Sequence, residues 1–280
     1  MKLVRYGPAG QEKPGMIDAD GQLRDLSGQV ADISGEILSD AGLARLAALD
    51  PASLPAVEGS PRFGPCVGQT SKILCIGLNY SDHAAETGAE PPTEPIVFAK
   101  ALNALCGPND DVEMPRNSQA LDWEVELAVV IGTKAKYVSE ADAMNHVAGF
   151  AVMNDVSERD FQTKRQGQWT KGKSHDTFGP LGPWLVTRDA VADPHNLSMW
   201  LDVNGERRQT GNTNTLIFNV PHVVSYLSQF MTLMPGDVIS TGTPPGVAMG
   251  MKPPQYLKVG DVMTLGIEGL GEQKQTVIAA

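Results

Sequence analysis

Two glutamates separated by one residue offer the clearest chemistry in this sequence. Glu124 and Glu126 lie within residues 121–132, whose apolar positions and β-branched run predict a strand entering a core. Side chains two apart on a strand share a face, with Cα atoms about 7 Å apart, so both carboxylates can reach one cation. Adjacent carboxylates at an apolar strand resist desolvation unless a cation neutralises them. An ordinary solvated strand face explains this one strand equally well.

A second predicted strand also ends on an acid, and it favours the metal site. Residues 149–154 are mostly apolar, and Asp155 follows them directly. Three carboxylates suit a hard divalent cation such as Mg²⁺ or Mn²⁺, with positions left for water and substrate. No His or Cys is adjacent in sequence to these acids, which disfavours a structural zinc site. The sequence therefore predicts a metal site formed by Glu124, Glu126 and Asp155.

Residues 79–88 predict a short helix that carries a histidine and an acid. The polar start, the alanine pair and the final Gly88 are typical of a helix of about two turns, with Ser81 as its N-cap. His83 and Glu86 are three apart and share a helical face. A carboxylate beside an imidazole fixes its tautomer and raises its basicity, which suits a general base. An exposed ion pair of little energetic value is the alternative, and spacing alone favours that alternative.

Two further segments have residue types that could bind an anion. Lys171 and Lys173 flank Gly172, where we expect the backbone to approach a ligand, although two surface lysines are an equally good explanation. Residues 241–247 are rich in Gly and Pro, and their amides and the hydroxyls of Thr241 and Thr243 can hold a carboxylate or phosphate. No Gly-Lys-Ser/Thr follows this loop, and no Gly-x-Gly-x-x-Gly dinucleotide motif occurs in the chain.

The overall composition is that of an acidic chain with enough apolar residues for a large core. The 280 residues have a formal net charge of −11, which argues against nucleic acid or an anionic membrane as a partner. No stretch reaches the ~20 apolar residues of a membrane-spanning helix. The first residues lack the apolar segment of a signal peptide, and three unpatterned cysteines fit a reducing compartment. We therefore expect a cytoplasmic protein with no membrane partner.

The chain divides into two predicted domains. Residues 1–69 combine short strands, a helix with an apolar stripe and a proline-rich connector, and they contain no catalytic cluster. Residues 70–280 contain every candidate site residue. The second, larger domain is therefore the predicted main domain.

Over roughly residues 70–280 the sequence resembles the fumarylacetoacetate hydrolase family. Any one of the matching segments would be a weak signal, but their common order along one chain makes chance a poor explanation. The matching segments are Ile76-Gly77-Leu78-Asn79-Tyr80 with His83 and Glu86, Glu124-Val125-Glu126-Leu127, Asn154-Asp155-Val156-Ser157, Lys173-Ser174, and Gly236-Asp237-Val238-Ile239 through Thr241-Gly242-Thr243-Pro244.

The resemblance implies the α+β class, with a small N-terminal α/β unit followed by a catalytic domain. In that domain it implies a mixed β fold that rolls into a barrel-like core, usually in a homodimer. It implies Mg²⁺ or Mn²⁺ on the three acids named above. It also implies that His83 and Glu86 are a dyad that activates water, on a segment that closes over the substrate. Further residues are implied to be catalytic or to bind substrate: Lys173, Gln162, Thr243, Tyr80 and Arg159.

Within this family, the whole chain most resembles the branch that handles 2,4-diketo-3-deoxy sugar acids, whose members are often labelled ureidoglycolate lyases. This implies metal-dependent C–C hydrolysis of a diketo acid to pyruvate and a hydroxy acid, in sugar-acid catabolism. The alternatives are ureidoglycolate lyase, acylpyruvase, oxaloacetate decarboxylase and hydroxymuconate isomerase activity. A binding protein without turnover is disfavoured because the dyad is intact. Residues 212–215 lack a charged residue expected in that loop, which would alter selectivity if the loop contacts substrate.

Overall fold

The computed structural model describes residues 1–88 and 90–280, and β-strands dominate it. The strands are β1 Lys2–Tyr6, β2 Lys13–Ile17, β3 Leu23–Asp25, β4 Ile73–Gly77, β5 Ile96–Lys100, β6 Leu105–Cys106, β7 Val112–Met114, β8 Leu121–Asp122, β9 Val125–Ile131, β10 Val147–Asn154, β11 Ser157–Glu158, β12 Gly179–Thr187, β13 Ser198–Val203, β14 Glu206–Asn212, β15 Val238–Ser240, β16 Val262–Ile267 and β17 Gly271–Ala279. The α-helices are α1 Asp40–Ala47, α2 Ser81–Thr87, α3 Glu140–Ala143, α4 Arg159–Thr163, α5 Thr170–Lys173 and α6 Val220–Phe230. Short 3-10 helices include Gly35–Leu38, Thr213–Thr215 and Ala248–Gly250. Within these two ranges, no helix is both long and apolar enough to cross a bilayer.

The largest sheet is mixed and open. Its strands follow the order β3-β2-β1-β12-β10-β9-β15-β4-β5, with β6 beside β12, and a second sheet has the order β14-β13-β16-β17-β7. Strand β15 pairs in parallel with β4 and antiparallel with β9. The predicted α+β class with mixed sheets is confirmed. Among the described residues the end strands β3 and β5 do not pair, so this sheet does not close into a barrel.

The N-terminal strands extend this large sheet. Strand β1 pairs antiparallel with β12, where Leu3 lies opposite Leu185. Leu3 and Leu38 also pack in the same buried cluster as Val130 and Val238. The first part of the chain therefore shares a core with the rest, while the domain boundary at residue 69 stays a prediction from the sequence.

Strands β9 and β10 bring the predicted metal ligands together. The predicted continuous strand over residues 121–132 is interrupted, since β8 ends at Asp122 and β9 begins at Val125. Because β9 and β10 are antiparallel, the start of β9 lies beside the end of β10. Asp155 follows β10 directly, and its N–H donates to the Glu124 carbonyl over 2.9 Å. Two acids separated by 31 positions in sequence thereby become neighbours.

Helix α2 forms where it was predicted, but its first turn is held differently. Tyr80 is the N-cap and makes no side-chain capping bond, so the prediction of Ser81 in this role is wrong. The Ser81 hydroxyl instead donates to the Thr215 carbonyl over 3.2 Å, which anchors the helix start on a distant loop. The helix ends at Gly88 in the left-handed region with φ 67°, as the sequence predicted.

Candidate active site and metal centre

A cavity of about 280 Å³ lies beside β4, β5 and β9. Its lining brings together most of the predicted site residues; Glu86, Tyr80 and Asp155 are not part of the lining. The polar lining residues are His83, Glu124, Glu126, Arg159, Gln162, Thr163, Lys173 and Thr243, and the others are Ile76, Gly77, Leu78, Ile96, Phe98, Trp169 and Met249.

Three carboxylates converge at this cavity. Glu124, Glu126 and Asp155 are buried, and each offers an oxygen that lies within 4.8 Å of the other two. This is the one cluster of His, Cys, Asp or Glu side chains within residues 1–88 and 90–280 that meets the geometry of a metal site. Carboxylate oxygens without nitrogen or sulfur ligands match the preference of Mg²⁺ and Mn²⁺.

Buried cations neutralise part of this negative charge. The Lys173 ammonium donates to Glu124 and to Asp155, over 2.7 Å in each case. Arg159 donates to Glu124 over 2.6 Å and to Asp122 over 2.8 Å. Burial opposes the ionised state of each group, but Arg159 and Lys173 outweigh it and lower the pKa of Glu124. In the same way, the neighbouring carboxylates Asp155 and Glu124 raise the pKa of Lys173.

A third cation, Lys100, was not predicted from the sequence. Its side chain is fully buried and pairs with Asp155, and it also donates to the Val156 carbonyl over 3.1 Å. Lys100 is the last residue of β5 and the one buried residue of that strand. The sequence signal that could have revealed it is a lysine at the end of an otherwise apolar strand.

In the described part of the chain, Lys100, Arg159 and Lys173 form no ion pair with Glu126, the third carboxylate of the cluster. Its carboxylate accepts from two neutral donors, the Ser240 hydroxyl over 2.6 Å and the Gly242 N–H over 2.8 Å. Burial, together with the nearby carboxylates of Asp155 and Glu124, raises the pKa of Glu126 well above its usual value. A divalent cation would offset this repulsion, so the donor set fits the predicted metal.

His83 and Glu86 form a pair at the cavity wall. The His83 side chain is largely buried and lines the cavity, with Nδ1 lying 3.1 Å from a Glu86 carboxylate oxygen. The Gly246 N–H also donates to the Glu86 carboxylate, over 3.2 Å. The pair is therefore only partly exposed, since His83 is buried while Glu86 reaches the surface, and the role of the pair as a catalytic dyad stays a prediction. A carboxylate at Nδ1 favours the tautomer whose basic lone pair is on Nε2.

The other predicted substrate residues occupy two different environments. Gln162 accepts from the Arg159 guanidinium over 3.1 Å, and both line the cavity. Thr243 also lines it, and its hydroxyl donates to the Val125 carbonyl over 3.0 Å. Tyr80 is fully buried, and its hydroxyl donates to the Met199 sulfur over 3.1 Å. The structure thus does not bring Tyr80 into the lining.

Two expectations about loops are corrected by their contacts. A Cβ on Gly172 would lie 2.4 Å from the Gln162 nitrogen and the Glu158 carbonyl oxygen, so this glycine lets α5 pack on α4 rather than approach a ligand. The loop 212–215 is absent from the cavity lining, and the Thr215 hydroxyl donates to Asp82 of α2 over 3.3 Å. This loop therefore positions the helix that carries His83 and does not line the substrate cavity.

The fold and the site define an α+β enzyme with a carboxylate metal centre. Residues 72–278 match the family model described as fumarylacetoacetate (FAA) hydrolase C-terminal. A relative from Burkholderia multivorans, provisionally named a hydrolase, is 62% identical over 281 residues and 100% of both chains. The chain belongs to the fumarylacetoacetate hydrolase family, which makes it a metal-dependent enzyme.

Solved structures with the same fold match this chain over its whole length. Fumarylacetoacetate hydrolase from the psychrophile Exiguobacterium antarcticum is 36% identical, covers 100% of both chains and has a TM-score of 0.87. Maleylpyruvate hydrolase from Sphingobium sp. SYK-6, solved with manganese(II) and pyruvate, is 29% identical, covers 100% of both chains and has a TM-score of 0.83. The predicted family and fold are therefore confirmed.

Proposed function

We propose that this chain is a divalent-metal-dependent hydrolase that cleaves a C–C bond in a 2,4-diketo acid and releases pyruvate. The carrying observation is that the carboxylates of Glu124, Glu126 and Asp155 cluster at a cavity that is also lined by His83, the partner of Glu86. The resemblance to the sugar-acid branch supports a 2,4-diketo-3-deoxy sugar acid as substrate, with a hydroxy acid such as lactate as the second product.

The three carboxylates would hold the metal, and Mg²⁺ or Mn²⁺ suits them. The similarity to a maleylpyruvate hydrolase solved with manganese(II) supports this choice. When bound, such a cation supplies Lewis-acid polarisation of the substrate's 2-oxo acid group.

His83 would act as the general base. With Glu86 at Nδ1, its Nε2 removes a proton from water, and the water oxygen adds to the C4 carbonyl of the substrate. The C3–C4 bond then breaks, and C3 takes up the electron pair as the enolate of pyruvate. The proton that His83 removed from water is transferred to C3, which completes pyruvate and restores neutral His83. C4 leaves as the carboxyl carbon of the second product.

Lys173 and Gln162 would stabilise the negative charge that develops on the substrate oxygens. Both side chains are buried in the cavity lining, so their donors act in a water-poor site. The raised pKa of Lys173, caused by Asp155 and Glu124 against the opposing effect of burial, keeps it a cationic donor at neutral pH. Arg159 and Thr243 would hold the substrate from the same lining.

Pyruvate release tests this proposal directly. The purified protein is incubated with 2,4-dioxo-5-hydroxyhexanoate, with chelator, and with chelator followed by excess Mg²⁺ or Mn²⁺, and the products are separated by chromatography. Pyruvate that disappears with chelator and returns with metal supports the hydrolase. No pyruvate from a protein that still binds Mn²⁺ would contradict it and favour the ureidoglycolate lyase or oxaloacetate decarboxylase alternatives.

Light scattering on the same purified protein tests the homodimer that the family resemblance implies.

A further inference from the structure

One part of the cavity is a continuous apolar surface that the proposed chemistry does not use. A Cβ on Gly77 would lie 3.0 Å from the Trp169 ring and 3.5 Å from an Ile96 methyl carbon. The rings of Phe98 and Trp169 meet edge to face, with centroids 5.1 Å apart. Gly77, Ile96, Phe98 and Trp169 thus form an apolar wall, and the missing side chain at Gly77 leaves the room that Trp169 fills.

The apolar wall begins beside the charged end of the cavity. The Lys173 ammonium lies 4.9 Å from the centroid of the Phe98 ring, and the same ammonium donates to Glu124 and Asp155. A ligand whose 2-oxo acid head is held at these carboxylates therefore has the apolar wall beside it, and the rest of its chain can extend along that wall.

The cations that line the cavity are held at its carboxylate end, where they face the head of a ligand and not its tail. Among the described lining residues the lysine and arginine side chains are Lys173 and Arg159, and each bonds to two carboxylates. The remaining basic group, His83, has the Glu86 carboxylate at Nδ1. A carboxylate at the far end of a substrate would lose water along the apolar wall without gaining a cation, which is strongly unfavourable.

We infer that the cavity selects 2-oxo and 2,4-diketo acids whose tail is uncharged, and discriminates against those that end in a second carboxylate. This inference rests on the proposed function for the placement of the ligand's head. A short tail with one hydroxyl and a methyl group satisfies it, because both fit an apolar surface at small cost.

Binding of a matched pair of uncleavable ligands tests the inference apart from turnover. 2-Oxohexanoate and 2-oxohexanedioate have the same length and the same head, and they differ in a terminal methyl against a carboxylate. Calorimetry with the Mn²⁺-loaded protein should give a dissociation constant at least about tenfold lower for 2-oxohexanoate. Equal affinity, tighter binding of the dioate, or no binding of either compound would overturn the inference.

A cation placed in the apolar wall should reverse the preference. Ile96 and Val97 are adjacent on β5 and equally exposed, at 38% and 37%, but their side chains point to opposite faces and Ile96 alone lines the cavity. Ile96→Arg should shift the affinity ratio toward the dioate by about tenfold or more, because it supplies the missing partner. Val97→Arg adds the same charge outside the cavity and should leave the ratio unchanged. An equal shift in both variants would overturn the placement of the tail.

Kinetics separate this inference from the proposed function. Pyruvate release is compared for 2,4-dioxoheptanoate and 2,4-dioxoheptanedioate, which differ in the same terminal group. A binding preference for the uncharged tail without metal-dependent pyruvate from either compound would contradict the hydrolase and leave the tail selectivity standing. Metal-dependent cleavage of both compounds with equal kcat/KM would leave the hydrolase standing and overturn the selectivity.

Discussion

The Gln209 side-chain amide donates to the Thr243 hydroxyl over 2.8 Å in the interior of the protein. It also donates to the Pro244 carbonyl over 2.8 Å, and its oxygen accepts from the Val125 N–H over 3.0 Å. Val125 lies between Glu124 and Glu126, two of the three carboxylates proposed to hold the metal. Gln209 thus connects Thr243 and Pro244 to the strand backbone between Glu124 and Glu126. We expect it to act as a positioning residue for these two carboxylates.

Gln209→Ala should reduce kcat/KM by about tenfold to a hundredfold, because small misplacements of reacting groups are costly. It should also lower the free energy of unfolding by about 2 kcal/mol, since buried groups lose their partners. Pyruvate release and urea unfolding measure the two effects. Gln229→Ala is the control, because Gln229 lies on α6 and its amide donates to the Val138 and Ser225 carbonyls, outside the cavity. The control should change stability without changing kcat/KM.

His83→Ala should lower kcat by about a hundredfold to ten-thousandfold, the usual contribution of a general base. Mn²⁺ affinity should stay the same, because the three ligand carboxylates are intact. His222→Ala is a matched control, since His222 also has a carboxylate at Nδ1, that of Glu140 over 2.9 Å, but lies on the exposed side of α6. Full activity in the His83 variant would show that another group activates water.

The sequence was sufficient to locate the carboxylate cluster because the placement of its members follows from local rules. Spacing by two put Glu124 and Glu126 on one face of a strand, and Asp155 marked the end of the next core strand. Antiparallel pairing of β9 with β10 then brings Asp155 beside the two glutamates. The dyad was harder to predict: the burial of His83 depends on a fold that its own helix does not reveal, and the bond from Gly246 to Glu86 spans 160 residues.

The residues that sequence analysis missed have partners far away in the chain. Lys100 pairs with Asp155 across 55 positions, and Gln209 bonds to Val125 across 84. Asp122, at the end of β8, holds Arg159 across 37 positions. A periodic pattern reports which face of one element is apolar and carries no information about such contacts. Only the assembled sheet shows these roles.

Glu126→Gln should separate metal binding from stability. The amide keeps an oxygen for the Ser240 and Gly242 donors but removes a charge that faces Asp155 and Glu124. We expect Mn²⁺ affinity to fall at least about tenfold in calorimetry, because a ligand charge is lost. In chelator the melting temperature should be unchanged or higher than that of the parent, because the repulsion is relieved.

The control for this variant is Glu113→Gln, which removes one acid on β7 outside the ligand cluster. It should leave Mn²⁺ affinity unchanged. A Glu126→Gln protein that binds Mn²⁺ as tightly as the parent would contradict the assignment of Glu126 as a ligand.

Asp237→Ala should destabilise the fold by about 3 kcal/mol or more, because it removes a fully buried carboxylate that pairs with a lysine. Asp237 accepts from the N–H groups of Ser71, Lys72 and Met234 and forms an ion pair with the Lys72 ammonium. Urea unfolding measures the loss.

Asp261 provides the comparison, since it stands in a second Gly-Asp-Val segment but is only partly buried. It accepts from the Lys258 N–H and the Asn204 amide. Asp261→Ala should therefore destabilise by only about 1 kcal/mol. Equal losses in the two variants would show that burial at Asp237 adds nothing.

The three cysteine thiols should be inert in the folded protein. All are free and buried, and burial raises the pKa of Cys66 to about 12 and places those of Cys75 and Cys106 well above their usual value. At pH 8 the reactive thiolate is therefore scarce as well as inaccessible. Ellman's reagent should detect no thiol within minutes in the native protein and three after unfolding in guanidinium. Ser60→Cys adds a thiol at an exposed position and should react at once with one equivalent, which checks the reagent. Rapid reaction of a native cysteine in the parent protein would show that its part of the core opens readily.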